Sequence, residues 1–97
     1  MTTIRKVTAE ITVQNTFSDE ILIPNAFNFG LIGTAFVGTV TLQRRMDATD
    51  VWRDVTTKTA DFEGWDIQPG GAELRFGVKT GDYTSGSIIG FISRAKN

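Results

Sequence analysis

Between Val7 and Val13 apolar and polar residues take strict turns, with Val7, Ala9, Ile11 and Val13 on one side and Thr8, Glu10 and Thr12 on the other. A period of two belongs to an extended strand with one face buried. The chain repeats this pattern in short pieces almost to its end. Gln14-Asn15-Thr16 reads as a turn. Ile21-Leu22-Ile23 is a brief apolar run closed by Pro24-Asn25; Pro24 has no N–H for a ladder, so the strand stops there or lies at an edge. Phe27, Phe29 and Leu31 alternate with Asn28 and Gly30, and Gly33-Thr34 then turns the chain. Ala35 to Arg44 is the longest strand expected, with Phe36, Val40 and Leu42 on one face and Thr39, Thr41 and Gln43 on the other. Gly38 marks a bulge or a close backbone approach within it.

The second half continues in kind. Met46 to Asp50 is a polar hairpin connection, and Val51 to Val55 a short strand. Lys58 to Trp65 sets Ala60 and Phe62 opposite Thr59, Asp61 and Glu63. Gln68-Pro69-Gly70-Gly71 is the strongest turn signal. Glu73 to Lys79 turns Leu74, Phe76 and Val78 inward, Thr80 to Gly86 reads as a polar loop, and Ser87 to Arg94 is the last strand. About eight short strands and no helix predict an all-β fold, an antiparallel β-sandwich or jelly-roll-like barrel. The expected division is an N-terminal arm over residues 1–6 and a single β domain over 7–97.

The last strand is apolar on both sides: Ile89 and Phe91 share one face, Ile88 and Ile92 the other. A two-layer antiparallel sandwich leaves its outer faces wet. Either a loop or the N-terminal arm covers the second face, or a subunit does. The expectation taken forward is that Ile88 and Ile92 contribute to self-association. Domains this small often gain stability that way.

The chemistry available is narrow. The 97 residues include no His and no Cys, which removes the usual neutral-pH acid/base, the thiolate nucleophile and the commonest metal ligands. Ten basic and eleven acidic residues give a net charge of −1, so no polybasic field for nucleic acid or anionic membrane is expected. No apolar run nears the ~20 residues of a membrane span, and Met1 to Lys6 lacks the apolar core of a signal peptide. A soluble protein made in a cytoplasm, and used there or in an assembled particle, is the expectation.

Asp61 and Glu63 fall on one strand face roughly 7 Å apart, a spacing glycoside hydrolysis permits; a solvated outer face is the simpler reading. Asp47 and Asp50 in one loop suit turn chemistry better than calcium. Ser85 and Ser87 have only Lys79 nearby as an activating base, and it faces outward. No catalytic residue, metal ligand or cofactor is assigned. Trp52, Trp65 and Tyr83 are candidates for a flat surface that holds protein or sugar, with Trp65 out of phase with Phe62 and Trp52 packing across its hairpin. Arg44 ends the core face, where it makes a salt bridge or reaches a carboxylate of another subunit.

The segments Gly38-Thr39-Val40-Thr41-Leu42-Gln43-Arg44, Asp47, Trp52-Arg53-Asp54-Val55, Glu73-Leu74-Arg75-Phe76-Gly77-Val78 and Gly81-Asp82-Tyr83-Thr84-Ser85-Gly86 resemble a group of small β-sandwich proteins of tailed bacteriophages. Those proteins carry a Thr-Val-Thr-Leu-Gln-Arg-Ser strand, an Asp-Gly-Gly turn, a Trp, a Tyr-Arg-Gly strand and a Gly-x-Tyr-Thr-Ser-Gly loop. The hairpin is also similar to a worn Asp-box, Ser-x-Asp-x-Gly-x-Thr-Trp. Asp47 and Trp52 keep its spacing, while Arg45, Thr49 and Val51 replace its Ser, Gly and Thr. In such boxes the Asp and Trp are structural.

The resemblance implies a non-enzymatic virion protein, most simply a capsid cement or decoration protein, with a neck, tail or fibre-associated role as its rival. Its implied partners are the major capsid protein or other virion proteins and its own copies, a trimer being favoured. A carbohydrate-binding module is a further alternative. The expected contact residues are Ile4, Arg5, Arg44, Trp65, Tyr83, Ile88 and Ile92, with Asp47 and Trp52 holding the hairpin.

Overall fold

The computed structural model describes residues 5–95; of the expected arm, Met1 to Ile4, and with them the contact residue Ile4, lie outside the described residues. The described chain forms β1 (Lys6–Ile11), β2 (Thr16–Phe17), β3 (Ile21–Ile23), β4 (Ala26–Gly38), β5 (Val40–Arg45), β6 (Arg53–Lys58), β7 (Phe62–Ile67), β8 (Ala72–Val78) and β9 (Tyr83–Arg94). Two antiparallel sheets result. Sheet A runs β1-β9-β4-β7 and sheet B runs β2-β8-β5-β6, with β3 also paired to β8.

β2 and β3 behave as one interrupted strand along β8. Ser18 bridges the break: its N–H donates to Phe76 O (2.7 Å) and its Oγ accepts from Phe76 N (3.1 Å). The pairings are then nested. β5 pairs β6, β4 pairs β7, β2 and β3 pair β8, and β1 pairs β9. A long antiparallel ribbon is thus folded at the β5–β6 hairpin and rolled up, which is the jelly-roll arrangement of two facing sheets.

The core is one cluster drawn from the inward side of both sheets. Sheet A contributes Val7, Ile11, Phe27, Phe29, Leu31, Ile88 and Ile92; sheet B contributes Ile21, Ile23, Val40, Leu42, Leu74, Phe76 and Val78. Phe29 meets Phe76 across the layers with ring centres 5.9 Å apart. The alternation read from the sequence therefore places its apolar members correctly in β1, the first half of β4, β5 and β8.

Five expectations change. The turn at Gly33-Thr34 is absent, because β4 continues through it and bulges just afterwards. Thr34 pairs Ser87 and Val37 pairs Ser85, so Ala35 and Phe36 together oppose Gly86. Ala35 has φ 51° and Gly86 φ 83°, the left-handed geometry that lets a strand gain a residue. The expected strand from Ala35 to Arg44 is instead divided at Thr39, where the chain leaves sheet A for sheet B. Gly38 makes the close approach foreseen for it: a Cβ there would stand 2.5 Å from Asp82 O. The expected loop from Thr80 to Gly86 belongs to β9 from Tyr83 onward. Lys58 and Phe62 lie in different sheets, with residues 59–61 crossing between them. At the N-terminal boundary, Lys6 already pairs with Ser93 in β1.

Candidate functional site

Ile88 and Ile92 are 1% and 0% exposed, so neither is available to a subunit. Their face of β9 is the core face, and Ile89 and Phe91 point out. The reason lies in the partners: Ile92 pairs Val7 and Phe29, and Ile88 pairs Ile11, all inward residues. Ser87 and Ser93 share parity with Ile89 and Phe91 on the outer face, too weak a signal beside three isoleucines to settle the orientation without the pairing.

The outer face of sheet A carries large exposed apolar side chains among polar ones such as Lys6, Asn28 and Glu63. Ile32 is 69% exposed, Trp65 70%, Ile89 49% and Ile67 47%. Phe91 lies against Gly30, where a Cβ would collide with its ring, so a glycine in the neighbouring strand lets the ring lie across the sheet. Lys6 Nζ sits 4.9 Å from the centre of that ring. Two shallow depressions mark the face. One, about 510 Å³, is bordered by Lys6, Ile32, Glu63, Ile89 and Phe91. The other, about 440 Å³, is bordered by Asn28, Glu63, Trp65, Phe91 and Ser93.

The other expected contact residues are scattered. Tyr83 is turned to structure: its OH donates to Gly86 O (2.9 Å) and its ring packs on Phe36 with centres 6.4 Å apart. It shares no face with Trp65. Arg44 is exposed at the end of β5, and among the described residues the ion pair there is made by its neighbour, Arg45 Nε to Glu73 Oε1 at 2.7 Å. Arg5 is exposed, and its carbonyl accepts from Arg94 N at 2.8 Å.

In the hairpin, Asp47 Oδ1 accepts from the N–H (2.8 Å) and hydroxyl (2.6 Å) of Thr49, and those bonds hold its carboxyl below the ordinary range. Trp52 lies on the outer face of sheet B, across the hairpin from Arg45, whose guanidinium carbon is 4.4 Å from its ring centre.

No family model, curated protein or solved structure matches this chain.

Two of the residues considered for catalysis are engaged elsewhere. Asp61 Oδ1 accepts from Gly33 N (2.8 Å) at the bulged end of β4. Lys79 Nζ is 2.7 Å from Asp54 Oδ2, and its hydrogen bond to that carboxylate raises its pKa, the wrong direction for a base acting on serine. Among the described residues no three carboxylates gather at one point to hold a metal ion. What the surface does offer is two contrasting faces, one with large exposed apolar side chains on sheet A and one built of cations and rings on sheet B.

Proposed function

We propose that the chain is a non-enzymatic structural protein of a tailed-phage particle, a capsid cement or decoration protein that binds capsid subunits and its own copies after synthesis in the host cytoplasm. The observation that carries this reading is the outer face of sheet A. Ile32, Trp65 and Ile89 stand on it largely exposed, with no other segment of the described chain packed across it. An antiparallel sheet with one face in water alternates apolar-in and polar-out, and large apolar side chains gathered on the outer face, rimmed by polar ones, favour a contact surface. The jelly-roll order adds an analogy at the level of fold, since this architecture recurs in viral coat proteins and in lectins; by itself it assigns no function. The phage-like segments from Gly38 to Gly86 point the same way.

Light scattering on the purified protein, followed by mixing with capsids that lack it, tests the reading. The expected result is an oligomer that decorates the capsids, and loss of both properties in Ile32→Asp. A monomer that ignores capsids overturns the cement role and favours a tail, neck or fibre position.

One observation supports a carbohydrate reading instead. Trp65 and Phe91 flank Asn28 and Ser93 around a single depression, an apolar wall beside polar groups of the kind that sugar rings use. In a Trp52→Phe background Trp65 is the sole indole, and a saturable change in its emission with a glycan would favour this alternative.

A further inference from the structure

The outer face of sheet B is organised around Arg75. Its guanidinium carbon lies 4.0 Å from the ring centre of Phe17 and 4.4 Å from that of Trp52. Phe17 is fixed in turn, because its ring lies across Gly77, where a Cβ would meet its Cγ at 2.6 Å. Arg75 Nε donates to Gln43 Oε1 at 2.9 Å. Gln43 Nε2 donates to Asp54 Oδ1 at 2.9 Å, and Asp54 Oδ2 accepts from Lys79 at 2.7 Å. Arg45 approaches the same Trp52 ring and is held through its own Nε by Glu73.

Both guanidinium groups are therefore anchored at Nε and against a ring. Among the described residues their terminal nitrogens have no hydrogen-bond partner, and Arg75 has no carboxylate within 4.0 Å. Arg45, Arg53 and Lys79 each have one. Burial and the neighbouring Arg45 both lower the Arg75 pKa, with Glu20 acting in the opposite direction. Both guanidinium groups thus lie against the Trp52 ring, and Arg75 is the one without a paired carboxylate. The fork of an arginine matches a planar acceptor in bidentate fashion, and a fork already fixed loses little freedom on binding.

We propose that Arg75 and Arg45, aligned on Trp52, form a docking site for a single carboxylate side chain presented by a loop of a partner protein. The charges around the site select that occupant over a polyanion. Glu73, Asp54 and Glu20 are interleaved with the arginines, so a lone carboxylate fits where a run of phosphates would be repelled. The site lies on the opposite sheet from the apolar face and does not depend on the particle role proposed above.

Trp52 reports on the site directly. With Trp65→Phe it is the only indole, since the chain has two tryptophans. The probe is a capped peptide carrying a single Glu, with its Gln counterpart, inorganic phosphate and a short single-stranded oligonucleotide as comparisons. The expected result is a saturable change in Trp52 emission with the acidic peptide alone, weakened about tenfold in Arg75→Lys, which keeps the charge and loses the fork. No saturable change, or an equal response to the Gln peptide, overturns the site. Tighter binding of phosphate or oligonucleotide overturns the assignment to a protein carboxylate. If Arg75→Lys does not fold, the arginine Nε–H resonances of the unaltered chain decide the matter. Shifts confined to Arg45 and Arg75 support the site, and unmoved or generally displaced signals refute it.

Discussion

A Cβ placed on Gly90 of β9 would stand 2.7 Å from Cε2 of Phe76, in the opposite sheet, and 2.7 Å from Cδ2 of Leu31. Phe76 is fully buried and is one of the largest side chains in the core. The absent side chain at Gly90 is therefore part of the packing between the layers. Gly90→Ala is expected to cost about 1–3 kcal/mol, the range for overpacking a core. Equilibrium urea unfolding checks this; a midpoint unchanged from the parent would contradict it.

The bulge in β4 makes an opposed pair of predictions. Ala35 has φ 51°, where a Cβ is strained, so Ala35→Gly is expected to stabilise by about 0.5–1 kcal/mol. Gly86 has φ 83°, and a Cβ there collides with the Ala35 carbonyl. Gly86→Ala is expected to lower the melting temperature clearly. Thermal melts of the two variants should move in opposite directions.

Thr41 Oγ1 is buried and has no hydrogen-bond partner among the described residues. Replacing such a hydroxyl with a methyl removes a desolvation cost. Thr41→Val should therefore match or exceed the parent's stability, by up to about 1 kcal/mol; a loss of that size in urea titration would mean that the hydroxyl is satisfied.

Acid should weaken the hydrogen bonds around Asp54 on sheet B and Asp50 in the hairpin. Hydrogen bonds from Gln43 and then Lys79 hold the Asp54 carboxyl below its ordinary 3.8, and those from Met46 N–H and Arg53 do the same for Asp50. A depressed folded-state value gives stability that is present above the unfolded value and lost as pH falls through the folded one. The loss thus lies below about pH 4. Lys79 is raised above 10.5, so its contribution holds below that pH and disappears as pH climbs through the folded value. With no His in the chain, stability should be nearly flat from pH 6 to 8. Asp54→Asn should make the acid limb of a pH-dependent melt shallower; an unchanged limb would assign it to other carboxylates.

The two faces of β9 should respond differently to charge. Ile89→Asp adds a carboxylate to an exposed position and should leave the melt nearly unchanged while removing the self-association proposed above. Ile92→Asp buries a charge without a partner, at a cost of several kcal/mol, and should abolish cooperative unfolding. Equal behaviour of the two variants would contradict the orientation of the strand.

Most of the architecture was legible because strands with one wet face declare themselves. Val7 to Ile11 and Leu74 to Val78 need no context, since their polar residues alternate cleanly with the core. β9 was not legible in that way. With isoleucines at 88, 89 and 92, hydrophobicity does not distinguish in from out, and the decision rests with pairing to Val7, Ile11 and Phe29, which are distant in sequence. The β4 bulge was hidden for a similar reason. A Gly-Thr pair at 33–34 looks like a turn locally, while the residue that takes the left-handed conformation is Ala35. The sheet B site was invisible as a unit, because Phe17, Arg45, Trp52 and Arg75 come from four separate segments. Asp47 and Trp52 lie in the connection between β5 and β6, and Trp65, read from the sequence as out of phase with Phe62, shares its face with Ile32 and Phe91, which were not anticipated there.

Thr39 is the one residue between β4 and β5, and its N–H donates to Asp82 O (2.8 Å) in the turn that carries the chain from β8 to β9. Two of the passages from one sheet to the other are tied by that bond. Breaking it frees neither sheet alone, since each runs directly into the other through the same corner. Its amide proton should therefore exchange with solvent only as rarely as the whole domain opens, making the narrowest point of the chain the slowest clock in it.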